Sequence, residues 1–393
     1  GAITALQNSV AHYYQRASSA DYLGVDPTRR SLTGTGGYVK VGRKGNAKWN
    51  FSETFTWSSP GFDLNDMGYM KETDYLMNET EIMYRQTDIW KIFRYNAFTL
   101  SQKNMWNYGG TPFSNNASLR WQSMTMNRYE WDVKETFAWN WLDSRLLRGG
   151  PDVRFGSYFL TSAKFNTDKA KRMMFMLKYE GDHNFEGNRF NTISPSLTFR
   201  LGNHVYLSGQ LDYAWNTDEM QYVATTSPLS SSSLAPYYYV MGHMDQKTYG
   251  LTLKLQVNVT PDISIQFYGA PFTSIAKYDD FKLAADTKSH TFENRFQRID
   301  PDQLTYADGV YTIGEGAGQM PFRNPDFRFN EFRSNLVARW EYLPGSTLYF
   351  VWEHRMSNRD NWYSSGWGSN LDRMWGLPAT NTFMIKMNYW FNL

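Results

Sequence analysis

The chain has 393 residues, of which 40 are basic and 38 acidic, for a net charge of +2, and it has no cysteine. That balance carries no polybasic signature of a nucleic-acid partner, and the missing cysteines remove disulfides, thiolate metal sites and cysteine nucleophiles together. With 15 Trp, 27 Tyr and 26 Phe, the chain is more aromatic than a soluble core needs, yet its mean hydropathy is −0.59. A transmembrane β-barrel reconciles the two, because half of each strand faces lipid, half faces water, and aromatic girdles mark both interfaces. No apolar run reaches the length of a membrane-spanning helix. The opening G-A-I-T-A-L-Q-N lacks the basic region and apolar core of a signal peptide, so the chain reads as mature or truncated.

In chain order, strand-like stretches alternate between short turns and long connections. The short turns are Lys44-Gly45-Asn46, Gln86-Thr87-Asp88, Asn127-Arg128, Asn166-Thr167-Asp168, Gly202-Asn203, Pro261-Asp262 and Pro344-Gly345. Each carries tight-hairpin chemistry, with Arg128 the one bulky member. The long connections fall near 17–33, 59–71, 102–112, 142–151, 182–188, 217–243, 273–330 and 358–380. Short–long alternation over roughly 16 strands predicts an all-β fold, a transmembrane antiparallel β-barrel of the outer-membrane type with short periplasmic turns and long extracellular loops. The whole of 1–393 is expected to be this barrel, with 273–330 a long loop or lid within it.

Several strands alternate well. Tyr249, Leu251, Leu253, Leu255, Val257 and Val259 interleave with Thr252, Lys254, Gln256 and Asn258. Phe332, Leu336, Ala338, Trp340 and Tyr342 oppose Arg333, Asn335, Arg339 and Glu341. Charges gather on the second parity, so Arg172, Lys178, Lys254, Arg333, Arg339, Glu341 and Lys386 are expected to line a wet lumen. The terminal T-F-M-I-K-M-N-Y-W-F-N-L has the period of a closing strand. Its Tyr389, Phe391 and Leu393 read as a C-terminal signal for the barrel-assembly machinery.

Two features depart from this pattern. Glu53 shares parity with Trp49, Phe51, Phe55 and Trp57, Glu135 with Trp131, Val133, Phe137 and Trp139, and Asn78 with Leu76 and Ile82. Either a β-bulge hides the acids in the lumen, or they lie near an interface, or the wall from 47 to 141 faces a membrane protein partner through Glu53, Asn78 and Glu135. The segment 273–330 is too long for an ordinary connection and holds Asp308-Gly309 between apolar residues, the mark of a small hairpin. It is read as an extracellular cap or an inward lid. In the last loop, Trp362, Trp367 and Trp375 could stack on sugar rings of a polysaccharide, or serve as girdle and loop core.

No catalytic, cofactor-binding or metal set emerges. None of the six histidines has metal-ligand spacing or a nucleophile-elbow context. A lipase site on the outer wall needs a serine beside a histidine; His354 has the right parity, but no serine can be placed beside it. The loop acids Asp182, Glu186, Asp279, Asp280, Asp300 and Asp302 read as solvated, with a calcium site the alternative.

Specific blocks carry a resemblance. They are S-P-G-F-D-L-N-D-M-G-Y-M (59–70), R-G-G-P-D-V-R (148–154), M-G-H-M-D-Q-K-T-Y-G-L-T-L-K-L (241–255), T-P-D-I-S-I-Q-F-Y-G-A-P-F (260–272) and N-P-D-F-R-F-N-E-F-R-S-N-L-V-A-R-W-E-Y-L-P-G-S-T-L-Y-F-V-W (324–352). The chain resembles the C-terminal barrel of an outer-membrane family of Gram-negative bacteria in which the barrel follows a carbohydrate-binding, family-nine-like domain. The resemblance implies the bacterial outer membrane, with its lipid as surroundings, and no assigned activity. The sugar-binding-like domain has no counterpart in these 393 residues, which are read as a whole barrel or as the C-terminal part of a larger one. The expected role is non-enzymatic and transport-related, as a channel or uptake protein; a scaffold subunit of a larger complex and a surface glycan-binding protein are the alternatives.

Overall fold

The computed structural model describes residues 1–16, 21–64, 70–139, 141–229, 237–360 and 367–391. After a short helix α1 (Ala2–Gln7) come β1 (Gly36–Arg43), β2 (Trp49–Ser58), β3 (Tyr75–Gln86), β4 (Phe93–Trp106), β5 (Pro112–Thr125) and β6 (Glu130–Trp139). A loop hairpin, β7 (Trp141–Asp143) and β8 (Val153–Phe155), precedes β9 (Tyr158–Asn166), β10 (Met173–Asn184), β11 (Arg189–Leu201), β12 (Val205–Thr226), β13 (Tyr238–Asn258) and β14 (Ile263–Ala284). Then follow the small strands β15 (Phe296–Arg298), β16 (Leu304–Ala307), β17 (Val310–Ile313) and β18 (Met320–Arg323). The chain ends with β19 (Phe327–Leu343), β20 (Ser346–Asp360), helix α2 (Trp367–Trp375) and β21 (Thr380–Asn388).

Sixteen of these strands form one sheet in the order β1-β2-β3-β4-β5-β6-β9-β10-β11-β12-β13-β14-β19-β20-β21, with β15 added beside β14. Each neighbour is antiparallel to the next, so the sheet is a meander. Among the described residues β1 and β21 do not pair, and both edges are largely exposed. The expected closed ring is therefore not what the hydrogen bonding draws; the all-β meander is.

Turn chemistry sets the register. Gly345 at φ +79° closes the two-residue turn between Leu343 and Ser346, and the bulky Arg128 takes φ +61° in the β5–β6 turn. Cross-strand rows then carry each face from strand to strand. Lys178 pairs with Lys164 and Ser194 on the polar face, while Leu207 pairs with Phe199 and Leu255 on the apolar one. Leu207, Leu211, Trp215, Leu253, Ile265 and Phe350 are exposed large apolar residues, so the apolar face covers no core.

The strands overshoot the expected loops. β12 runs on to Thr226, β13 starts at Tyr238, β14 continues to Ala284 and β19 begins at Phe327, so the connection between β14 and β19 is 285–326 rather than 273–330, and its β15 still pairs with β14. β12 alone runs for 22 residues, several times the usual length of a strand in a globular protein. The overshoot is buried on both faces. Val240, Met244, Tyr278 and Phe281 pack with Ile313 and Phe322 of the β16–β18 sheet, and the neighbouring Met241 joins Leu147, Val153, Met220 and Phe296 on the other side. A strand buried on both faces loses its alternation, which is why these stretches read as loops. The Asp308-Gly309 hairpin is present, with φ of +50° and +79° as a type I′ turn requires.

Candidate functional site

Six of the seven expected wall charges, Lys178, Lys254, Arg333, Arg339, Glu341 and Lys386, lie on strands and share the polar face. Arg172 stands just outside β10, its carbonyl accepting from the Arg200 amide at 2.7 Å. Signs alternate locally: Lys178 meets Glu180 at 2.7 Å, Arg333 and Arg355 share Glu331 at 2.8 and 3.1 Å, and Arg339 pairs with Glu341. Paired charges leave a polar wall with no dominant sign.

At the loop end this wall is capped. The N-terminal segment anchors on Asp74, whose Oδ2 accepts from Arg16 Nη2 at 2.6 Å and the Tyr22 hydroxyl at 2.7 Å, while Oδ1 accepts from the Tyr108 amide at 3.1 Å. Asp74 is buried and holds φ +62°, a conformation that Asp tolerates better than most residues. Burial, reinforced by the Asp74 hydrogen bond, drives the Tyr22 hydroxyl's pKa up, so it stays a donor. Arg145 reaches Glu72 at 3.3 Å, and Arg148, three residues on, lies over the Tyr222 ring of β12 at 4.6 Å. In a flat sheet β3 and β12 would be about 34 Å apart across seven strand spacings. One short segment touches both ends, so the sheet curls.

A second knot closes the other side of the cap. Arg295 is fully buried and donates to the Ser289 carbonyl (2.7 Å), the Arg154 carbonyl (2.7 Å) and both Glu186 oxygens (3.0 and 2.8 Å). Thr287 donates to the Asp152 carbonyl at 2.6 Å, and Lys288 meets the Asp152 carboxylate at 3.3 Å. Beneath the cap lies a cavity of about 430 Å³ bounded by Lys103 and Asn116 of the polar wall, Trp141, Arg145 and Asp152. The buried Asp152 Oδ1 has no hydrogen-bond partner among the described residues. The acids expected in solvated loops are placed otherwise in part: Asp182 lies in β10, Asp279 and Asp280 lie in β14, and Glu186 is nearly buried against Arg295, while Asp280 meets Lys282 and Arg298 and Asp300 caps the turn at 301–303. No group of three or more metal-ligating side chains gathers among the described residues.

On the apolar face, no bulge interrupts β2–β3 or β5–β6, so Glu53 and Glu135 stay outside; a register flip is ruled out. Each carboxylate is satisfied by neighbours instead. Glu53 accepts from Asn78 and from the Thr80 hydroxyl (2.6 Å), and Glu135 accepts from the Thr161 hydroxyl at 2.7 Å. Register extends the first group to Gln102 and Asn104 of β4 and Asn115 of β5, a polar patch four strands wide among Phe51, Ile82, Leu100 and Leu119. The same face holds His354, with Ser334 opposite it on β19 and Asn381 opposite it on β21.

Trp362 and Leu393 lie outside the described residues, as does the side chain of Trp367. Trp375 stands edge-on to Phe332 with ring centres 4.9 Å apart, packed against the wall. Tyr389 and Phe391 follow β21 with rings 4.6 Å apart and are largely exposed. Sequence reasoning missed the Asp74 and Arg295 anchors, whose partners lie 58 and 109 residues away, and it left His354 without a serine.

A family model described as a domain of unknown function, DUF5916, matches residues 2–393, and the chain belongs to that family. No curated protein matches it.

Proposed function

We propose that this protein is an outer-membrane β-barrel with a transport-related role, its polar face lining a passage capped at the loop end. The observation that carries the reading is the pairing of an exposed apolar face with a charged one over the whole meander, which suits lipid on one side and water on the other. The cap knots at Asp74 and Arg295 and the cavity beneath them support a passage closed at rest. Planar-bilayer recording of the purified chain tests this. Steady conductance from the intact chain, or conductance appearing only in Asp74→Ala, supports transport. Silence from both, with the protein folded, sinks it.

A scaffold role has its own observation, the polar patch around Glu53 on the face assigned to lipid. If Glu53→Leu and Glu135→Leu leave every native co-purifying protein in place, that reading fails. The glycan-binding reading rests, of its three tryptophans, on Trp375 alone among the described side chains, edge-on to Phe332 and still exposed.

A further inference from the structure

Gly269, Ser334, His354 and Asn381 stand side by side on four consecutive strands, each paired in register with the next, on the apolar face. The rows beside them are apolar: Pro271, Phe332 and Met356 on one side, Phe267, Leu336, Trp352 and Phe383 on the other. Directly paired side chains have Cβ atoms about 4.5–5.5 Å apart, close enough for hydroxyl, imidazole and amide to act together.

The hydrogen bonds fix the proton. Trp352 Nε1, which can only donate, reaches Asn381 Oδ1 at 2.9 Å, so the oxygen end of the amide points into the row. His354 Nδ1 meets the same oxygen at 2.9 Å and must therefore carry the hydrogen. The lone pair is left on Nε2. Neither Nε2 nor the Ser334 hydroxyl has a hydrogen-bond partner among the described residues. A serine, a histidine poised as base, and an acceptor that sets the tautomer are the parts of a nucleophilic hydrolase, recognised by role rather than by fold. Gly269, opposite Ser334, carries no side chain of its own, and the Phe267 ring covers it, 3.0 Å from where a Cβ would stand.

Height selects the substrate. Ser334 is the tenth residue from the Leu343 end of β19, and about 9–11 residues cross the hydrocarbon core. The row thus sits at the loop-side margin of the apolar band, where the ester bonds of lipids lie, with Trp375 of α2 packed on Phe332 just above. We propose that Ser334, His354 and Asn381 form a lipid-facing esterase site for the acyl esters of membrane glycerolipids. The Ser334 oxygen attacks the ester carbonyl as its proton passes to His354 Nε2. The carbon–oxygen bond to the alcohol breaks, and the imidazolium returns the proton to the departing alkoxide. Water, deprotonated by the same Nε2, then cleaves the acyl-serine, releasing the fatty acid and restoring the hydroxyl. Asn381 is a positioning residue.

The substrate class rests on the membrane reading; the three side chains do not. The test uses the full chain in detergent with an alkyl fluorophosphonate, p-nitrophenyl butyrate and phosphatidylethanolamine vesicles. An adduct on Ser334 and fatty-acid release from vesicles are expected. Ser334→Ala and His354→Ala, each keeping the heat-modifiable gel migration of the folded sheet, should cut turnover by roughly 10³-fold or more. Asn381→Ala should lower kcat with KM held and change the pH profile, and Asn381→Asp should restore part of the loss. A folded chain with no Ser334 adduct, or Ser334→Ala as active as the parent, overturns the proposal. Hydrolysis of the soluble ester alone overturns the lipid assignment and traces the failure to the membrane reading.

Discussion

Replacing Arg295 with alanine should loosen one side of the cap without unfolding the sheet. The guanidinium is 1% exposed and its Glu186 partner 12%, so the substitution leaves a nearly buried carboxylate without its cation and the carbonyls of Ser289, Arg154 and His290 without their donor. Breaking such a pair from one side costs about 3–5 kcal/mol, and the residual exposure of Glu186 favours the lower figure. At 1.36 kcal/mol per tenfold, about 3 kcal/mol is a rise of roughly 100-fold in local opening. Hydrogen exchange reads it at the amides of Ala285, Arg154 and Gly156, which bond to Arg295 O, Thr287 O and Glu186 Oε2. Peptides from the 205–215 part of β12 serve as the unchanged reference. The double variant Arg295→Met with Glu186→Leu should recover much of the protection, because neither charge is then stranded. Exchange within threefold of the parent in the single variant would show that the guanidinium does not hold these loops.

Three further outcomes follow from other contacts. Asn78→Leu with Thr80→Val strips Glu53 of both donors and should cost about 2–4 kcal/mol of folding stability by urea titration; adding Glu53→Leu should restore stability, and no recovery would contradict the hydrogen-bonded account. Gly309→Val forces a β-branched residue to φ +79° and should destabilise the β16–β18 sheet by roughly 1–2 kcal/mol, seen as faster proteolysis between 304 and 323, whereas Asp308→Asn should be neutral. At His243 burial opposes the charged form, but the Glu219 hydrogen bond at 3.1 Å and the charges of Glu219, Asp245 and Asp279 outweigh it and raise the pKa above 6.5. Its stabilisation is therefore complete below about pH 6.5 and fades as pH rises through the raised value. His243→Gln should flatten that pH dependence of cap melting, and an unchanged profile would exclude the ion pair as its source.

Much of the sheet was legible because period-two patterning and turn residues are local signals. The charged parity from Lys178 to Lys386, the Asp308-Gly309 hairpin and the unusual Arg128 turn all follow from neighbours in sequence. The cap was not legible, since Arg16–Asp74 and Arg295–Glu186 join segments with no shared local pattern. The row at His354 shows a subtler limit. A two-residue turn at Pro344-Gly345 alone would set Asn335, on the polar face, opposite His354. A bulge between Glu341 and Leu343 moves the pairing by one residue and brings Ser334 there instead. Short-range spacing cannot disclose such a shift.

The meander has a consequence for assembly that follows from direction alone. Fourteen antiparallel steps separate β1 from β21, so the two free edges point the same way, from the loop end toward the turn end. A second copy aligned in the same sense can offer either edge only strands of that same direction, and side-by-side growth through them is confined to parallel ladders. Antiparallel continuation from one edge to the other takes an odd number of added strands, those next to β1 and β21 running from the turn end to the loop end. Lys40 and Lys386, each on the polar face of its exposed edge strand, would flank any such strand with positive charge.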